Sequence, residues 1–161
     1  MKKILGVDPG LTKTGLGIIE VKNNSFFFIA CETIYTNASD PLVTRLNHLH
    51  KSLFEFVKIH QPDESAIEET FINSNPTSSL KLGHARGSLI LSLGLCGLNV
   101  AEYSTTAVKK AVVGVGRADK NQIMTMVKIL LPKATFKTED EADALAVAIC
   151  HNSNKSFNNF K

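Results

Sequence analysis

Residues 1–36 hold three strand-like runs joined by links too short for a helix, and that crowding constrains the fold more than any other feature. Ile4 to Val7 is a continuous apolar run ended by the turn pair Pro9-Gly10, the pattern of a buried strand. Gly15 to Val21 and Ser25 to Thr36 read as two further strands. Parallel neighbours need a long crossover and antiparallel ones only a hairpin, so the three predict an antiparallel meander.

Beyond the meander the periodicity changes. Leu42, Leu46, Leu49, Leu53, Phe56 and Val57 recur at helical spacing ahead of Pro62, which predicts an amphipathic helix over about 40–60. A strand follows over roughly Ser65 to Phe71. Asn75-Pro76 fits an N-cap with proline at the first helical position, opening a long apolar helix through about Leu95. Asn99 to Glu102 reads as a short strand. Thr106 to Val112 and Asn121 to Leu131 read as helices separated by a glycine loop, and Thr138 starts a last helix to about Cys150. The order βββαβαβααα predicts one mixed α/β domain over 1–151, with a flexible Asn-, Ser- and Lys-rich tail over 152–161.

Hydrophobic residues at 43% and charged ones at 20% exclude a disordered chain. The longest apolar stretch, Leu89 to Ala101, is broken by Ser92, Gly94, Gly97 and Asn99 and is too short to span a bilayer. The apolar run after Lys2 and Lys3 stops at Asp8, too soon for an export signal. Cys31, Cys96 and Cys150 are odd in number and set among apolar neighbours, which reads as reduced thiols in a cytoplasm. The net charge of +3 is weak evidence for a polyanionic partner, but its distribution is uneven. Lys109, Lys110, Arg117, Lys120, Lys128 and Lys133 are offset only by Asp119, whereas Asp63, Glu64, Glu68 and Glu69 crowd one short stretch.

Individually the acids have ordinary explanations. Asp8 ends a strand at a Pro-Gly turn, where turn chemistry alone accounts for it. Glu68 and Glu69 are strand neighbours that face opposite ways, and position does not choose between them. Thr138 to Glu141 fits a capping box, giving Glu141 a structural role. Asp140 and Asp143 share a face of the first helical turn, where they favour the helix dipole or share a cation. Asp143 lies in an Ala/Leu/Val/Ile run, and an acid buried there needs a partner. Carboxylates converging from strands and a helix end repel one another unless hard cations such as Mg²⁺ sit among them, the arrangement metal-dependent nucleases use. His151 follows Asp140 by about 16 Å of helix and falls outside such a site.

Five ordered blocks give these residues a context. They are Ile4-Leu5-Gly6-Val7-Asp8-Pro9-Gly10, Ala66-Ile67-Glu68, Leu80 to Gly87, Val108-Lys109 with Gly114-Val115-Gly116 and Lys120, and Asp140 to Ala146. Together they resemble the RuvC Holliday-junction resolvases of the ribonuclease-H-like superfamily over nearly the whole chain. The resemblance implies an α/β fold with a five-stranded mixed sheet, its first three strands antiparallel, flanked by helices. It further implies a homodimer that makes symmetric nicks in four-way junction DNA with Mg²⁺ or Mn²⁺, two ions per site, alongside a RuvA and RuvB branch-migration complex.

By position, the resemblance makes Asp8, Glu68, Asp140 and Asp143 the metal-binding acids and selects Glu68 over Glu69. Some members carry His where Asp140 stands. Phe71 matches an aromatic that stacks on an unpaired base, and Lys109 and Lys120 match lysines that face phosphates. Lys81, Arg86 and Arg117 join them as candidate DNA contacts, with a solvated charged face as the competing reading. Arg117 replaces an expected small residue. Gly83 and Gly87 fall where the family has its dimer interface, although packing within the chain explains a helical glycine equally well. His84 departs from the polar residue often found there.

Two other functions compete. An actin-like or sugar-kinase ATPase also opens with a strand and an Asp-x-Gly turn, but needs a second such domain that 161 residues do not hold. A non-catalytic DNA-binding module explains the basic segment and leaves the acids beside DNA without a use.

Overall fold

β1 (Lys2–Asp8), β2 (Lys13–Lys22) and β3 (Ser25–Tyr35) form the predicted meander, and α1 (Leu42–His60) follows as the period-3.6 pattern requires. β4 (Glu64–Glu68), α2 (Pro76–Leu95) and β5 (Val100–Tyr103) come next, then α3 (Thr105–Val113), α4 (Lys120–Leu130) and α5 (Glu139–Asn158). This computed structural model describes residues 1–70 and 75–158, with side chains through 154.

The sheet order is β3-β2-β1-β4-β5. β1 pairs antiparallel with β2 and parallel with β4, so the chain's first strand lies at the centre. β4 and β5 are also parallel, each reached through a helical crossover.

Alternation along β1 sorts the core. Leu5 and Val7 face α1 and α2, packing with Leu49, Leu53, Ala85 and Leu89. Ile4 faces the other way, into a cluster with Ile19, Ala66 and the Leu145 to Cys150 run of α5. Gly6, Gly15 and Gly17 lie on that second face, where Gly6 pairs with Gly17 across the strands and Gly15 pairs with Asp8. Each glycine admits α5. A Cβ on Gly6 would lie 2.6 Å from Ala148 N, and one on Gly17 would lie 2.8 Å from Leu145 N.

Caps end the helices where the sequence signals them. Asn75 Oδ1 accepts from the Thr77 and Ser78 amides at 3.0 and 3.2 Å. Asp119 and Gln122 form a capping box that starts α4 a residue before the predicted Asn121. α5 runs to Asn158 instead of stopping near Cys150. Past Cys150, Ser153 Oγ donates to Ile149 O at 3.1 Å and Asn154 Nδ2 to Cys150 O at 3.0 Å, so polar side chains bond back along the helix.

Candidate active site

The same alternation brings the acids together. Ile4, Gly6 and Asp8 share the α5 face of β1, and Glu64, Ala66 and Glu68 share it on β4, with Ile4 opposite Glu64 and Gly6 opposite Ala66. Asp8 and Glu68 therefore stand side by side at the carboxyl ends of the central parallel pair. Glu69 faces away and is exposed, its amide donating to Tyr103 O at 2.8 Å. The first turn of α5 lies over this edge because Gly15 lets it approach: a Cβ there would sit 2.5 Å from the Asp140 carbonyl carbon. Asp140 and Asp143 hang from that turn.

Glu68 and Asp143 line a cleft of about 210 Å³ with Thr105, Val108, Lys109, Lys120 and Ile123. Thr105 Oγ1 donates to Glu68 Oε1. Lys120 Nζ bonds Glu139 Oε2 at 2.7 Å, at the cleft's rim.

The electrostatics are those of under-compensated negative charge. Burial, and then the charges of Glu68, Asp143 and Asp140, hold Asp8 well above the usual carboxylate range, with Lys120 opposing. Burial and Glu68 push Asp143 up to about 6. Glu68 is raised by burial, against the Thr105 hydrogen bond and the Lys109 charge. Among the described residues no three Asp, Glu, His or Cys side chains stand close enough to enclose an ion as placed. The donor set is nonetheless all oxygen, which fits a hard divalent cation, and a cation would relieve the repulsion that raises Asp8 and Asp143.

Glu141 is buried and holds α5 in place. Its Oε2 accepts from Lys137 N at 2.6 Å and from the Cys31 thiol at 3.6 Å, and Oε1 accepts from Thr33 Oγ1 at 3.3 Å. The backbone half of the predicted capping box is present, Glu141 N donating to Thr138 Oγ1 at 3.1 Å. The side chain instead bonds one residue earlier and reaches β3. Cys31, pushed up to about 12 by burial and by Glu141, keeps its proton and donates it. His151 lies outside the acid set, bonding Tyr103 OH through Nδ1 at 3.0 Å and Glu64 through Nε2 at 3.1 Å.

The other candidates divide. Lys109 and Lys120 reach the cleft, whereas Lys81 and Arg117 lie on exposed surface and do not line it. Arg86 pairs with Glu102 and donates to Glu68 O at 3.3 Å, bracing the ends of β4 and β5. Gly83 and Gly87 are exposed on α2, and a Cβ on either would meet nothing within 4 Å. Packing among the described residues therefore does not account for them. Phe71 lies outside the described residues. The Thr105 bond to Glu68 was not read from the sequence, since nothing local links residues 37 apart.

A mixed sheet led by a meander, with carboxylates at the carboxyl ends of its central parallel strands under a helix, defines a ribonuclease-H-like nuclease. The family model of the crossover junction endodeoxyribonuclease RuvC matches residues 4–151, and the chain belongs to that family. It is 53% identical over 151 residues to the crossover junction endodeoxyribonuclease RuvC of Azorhizobium caulinodans, covering 94% of this chain and 89% of that one. Identity to the Sinorhizobium medicae protein of the same name is 54% over 155 residues, covering 96% and 93%. Thermus thermophilus RuvC in complex with a Holliday junction substrate superposes with a TM-score of 0.91 at 29% identity, covering 98% of this chain and 97% of that one. The yeast mitochondrial Holliday junction resolvase shares the fold at a TM-score of 0.68 and 14% identity, covering 98% and 82%.

Proposed function

We propose that this chain is a Holliday-junction resolvase, cutting four-way DNA junctions in recombination and repair by metal-dependent hydrolysis within a nuclease domain of residues 1–151. The observation that carries the reading is the meeting of Asp8, Glu68, Asp140 and Asp143 at one sheet edge in a chain of this family. These four would hold divalent cations, two Mg²⁺ or Mn²⁺ per site. Bound there, the ions supply activation of water and neutralisation of the leaving 3′ oxygen for in-line attack on phosphorus. Lys109 and Lys120 offer the phosphate positive charge from the cleft wall. For Lys120 this requires exchanging Glu139 for a phosphate oxygen.

Symmetric nicking needs two such sites, and α2 supports a homodimer. Leu80, Gly83, Gly87 and Leu91 form an exposed stripe at heptad-like spacing, with Leu80 62% and Leu91 63% exposed. Coupling to a RuvA and RuvB branch-migration complex is proposed on family membership. A cytoplasmic location is consistent with the absence, among the described residues, of any helix long and apolar enough to cross a membrane.

The test is a synthetic four-way junction with Mg²⁺, run beside linear duplex. The wild-type chain should nick the junction in preference, and Asp8→Asn should bind it without cutting. Equal cutting by the variant would remove Asp8 from the mechanism.

A further inference from the structure

Thr105 is the first residue of α3, two past the end of β5, where Tyr103 lies opposite Glu68. Its hydroxyl has no task in starting the helix. Ser104 is the N-cap, its side chain accepting from Ala107 N at 3.2 Å, and a β-branched residue is no better a helix former than its neighbours. The hydroxyl instead donates to Glu68 Oε1 in the cleft that both residues line. That bond favours the ionised carboxylate and occupies one of its two oxygens. Glu68 Oε2 is the oxygen that this bond leaves open, on a carboxylate whose charge acts on both Asp8 and Asp143.

We infer that Thr105 is a positioning residue: it fixes the Glu68 carboxylate so that a single oxygen is presented to a divalent cation. The inference rests on the reading of Glu68 as a cation ligand. Carboxylates that ligate metals are themselves oriented by hydrogen bonds, and losing such a partner weakens metal binding roughly tenfold or more. A hydroxyl supplied from a helix start does this without adding a charge that would compete with the ion.

The test compares Thr105→Val, which keeps the shape and loses the donor, with Thr105→Ser, which keeps the donor. Mn²⁺ binding to the DNA-free protein is followed by the electron paramagnetic resonance of free Mn²⁺, with melting temperature measured alongside. Junction nicking is titrated with Mg²⁺. Thr105→Val should bind Mn²⁺ roughly tenfold more weakly and need correspondingly more Mg²⁺ for half-maximal nicking. Thr105→Ser should restore both titrations. Wild-type Mn²⁺ binding by Thr105→Val overturns the inference, as does a loss that tracks melting temperature and is not recovered by Thr105→Ser. Glu68→Gln separates the two levels: if it binds Mn²⁺ normally, the reading of Glu68 as a ligand fails. If it loses Mn²⁺ while Thr105→Val does not, only the role of Thr105 fails.

Discussion

The Asp140 carbonyl oxygen occupies the space into which a Cβ on Gly15 would project. Gly15 is paired with Asp8 in the sheet, so the absence of one side chain lets a helix-borne acid approach a strand-borne one. Gly15→Ala should therefore push the first turn of α5 outward. We expect cation binding and cutting to fall at least tenfold, with a stability loss of roughly 1–3 kcal/mol from overpacking. Calorimetric Mg²⁺ titration beside denaturant melts checks this, and a variant that cuts normally would show that α5 does not set the site.

Asp143 predicts a pH signature in the metal-free protein. Unfolded, an aspartate titrates near 3.9, and in the fold Asp143 is pushed up to about 6. The native chain holds that proton more tightly, so the penalty of ionising it grows as pH rises from about 4 through about 6 and is complete above that range. In EDTA, Asp143→Asn should be more stable than wild type at pH 8 by roughly 1–3 kcal/mol, with the difference closing by about pH 4. A pH-independent difference in urea melts would contradict it.

Protons and cations compete for the same carboxylates. The acid limb of the nicking rate should move to lower pH as Mg²⁺ is raised, and EDTA should abolish cutting. Rate profiles at two Mg²⁺ concentrations measure the shift, and coincident limbs would argue against competition at Asp8 and Asp143.

Glu141 makes a contrasting case, since it acts on the fold. Glu141→Ala leaves the Lys137 amide, Thr33 and Cys31 short of an acceptor and should cost roughly 2–3 kcal/mol. Glu141→Gln should lose less. Melting temperatures of the pair decide it.

Gly87→Ala should have opposite effects on two measurements. An exposed helical glycine costs about 1 kcal/mol relative to alanine, so the monomer should be stabilised by up to that amount. An added methyl on the α2 stripe should weaken self-association, as should Leu91→Glu more strongly. Sedimentation over a range of concentrations reports the second effect, and unchanged association for both variants would rule out the α2 stripe as the proposed dimer interface.

Much of this was legible in the sequence because it rests on period and punctuation. The meander and most helices followed from spacing, Pro-Gly punctuation or caps, whereas β4 ends at Glu68, short of the predicted run toward Phe71; Asp143 stood out as an acid in an apolar run. The choice of Glu68 over Glu69 was not legible from the residues themselves. It depends on the register Gly6 to Ala66, which only the paired sheet supplies. The same limit hid Thr105 behind its distant partner and Arg86 behind Glu102. It also hid the purpose of Gly6, Gly15 and Gly17, which is to seat a helix more than a hundred residues downstream. The end of α5 was missed because Asn and Ser are weak helix signals whose backbone bonds are visible only in the fold.

The central strand and the helix that roofs it stand far apart in sequence, β1 at Lys2–Asp8 and α5 at Glu139–Asn158. Asp8 therefore approaches Asp140 and Asp143 only when β1 and α5 are both in place. Disorder anywhere between the two elements leaves the strand-borne acids without their helix-borne partners, so loading of a cation at these carboxylates reports on closure of the whole domain.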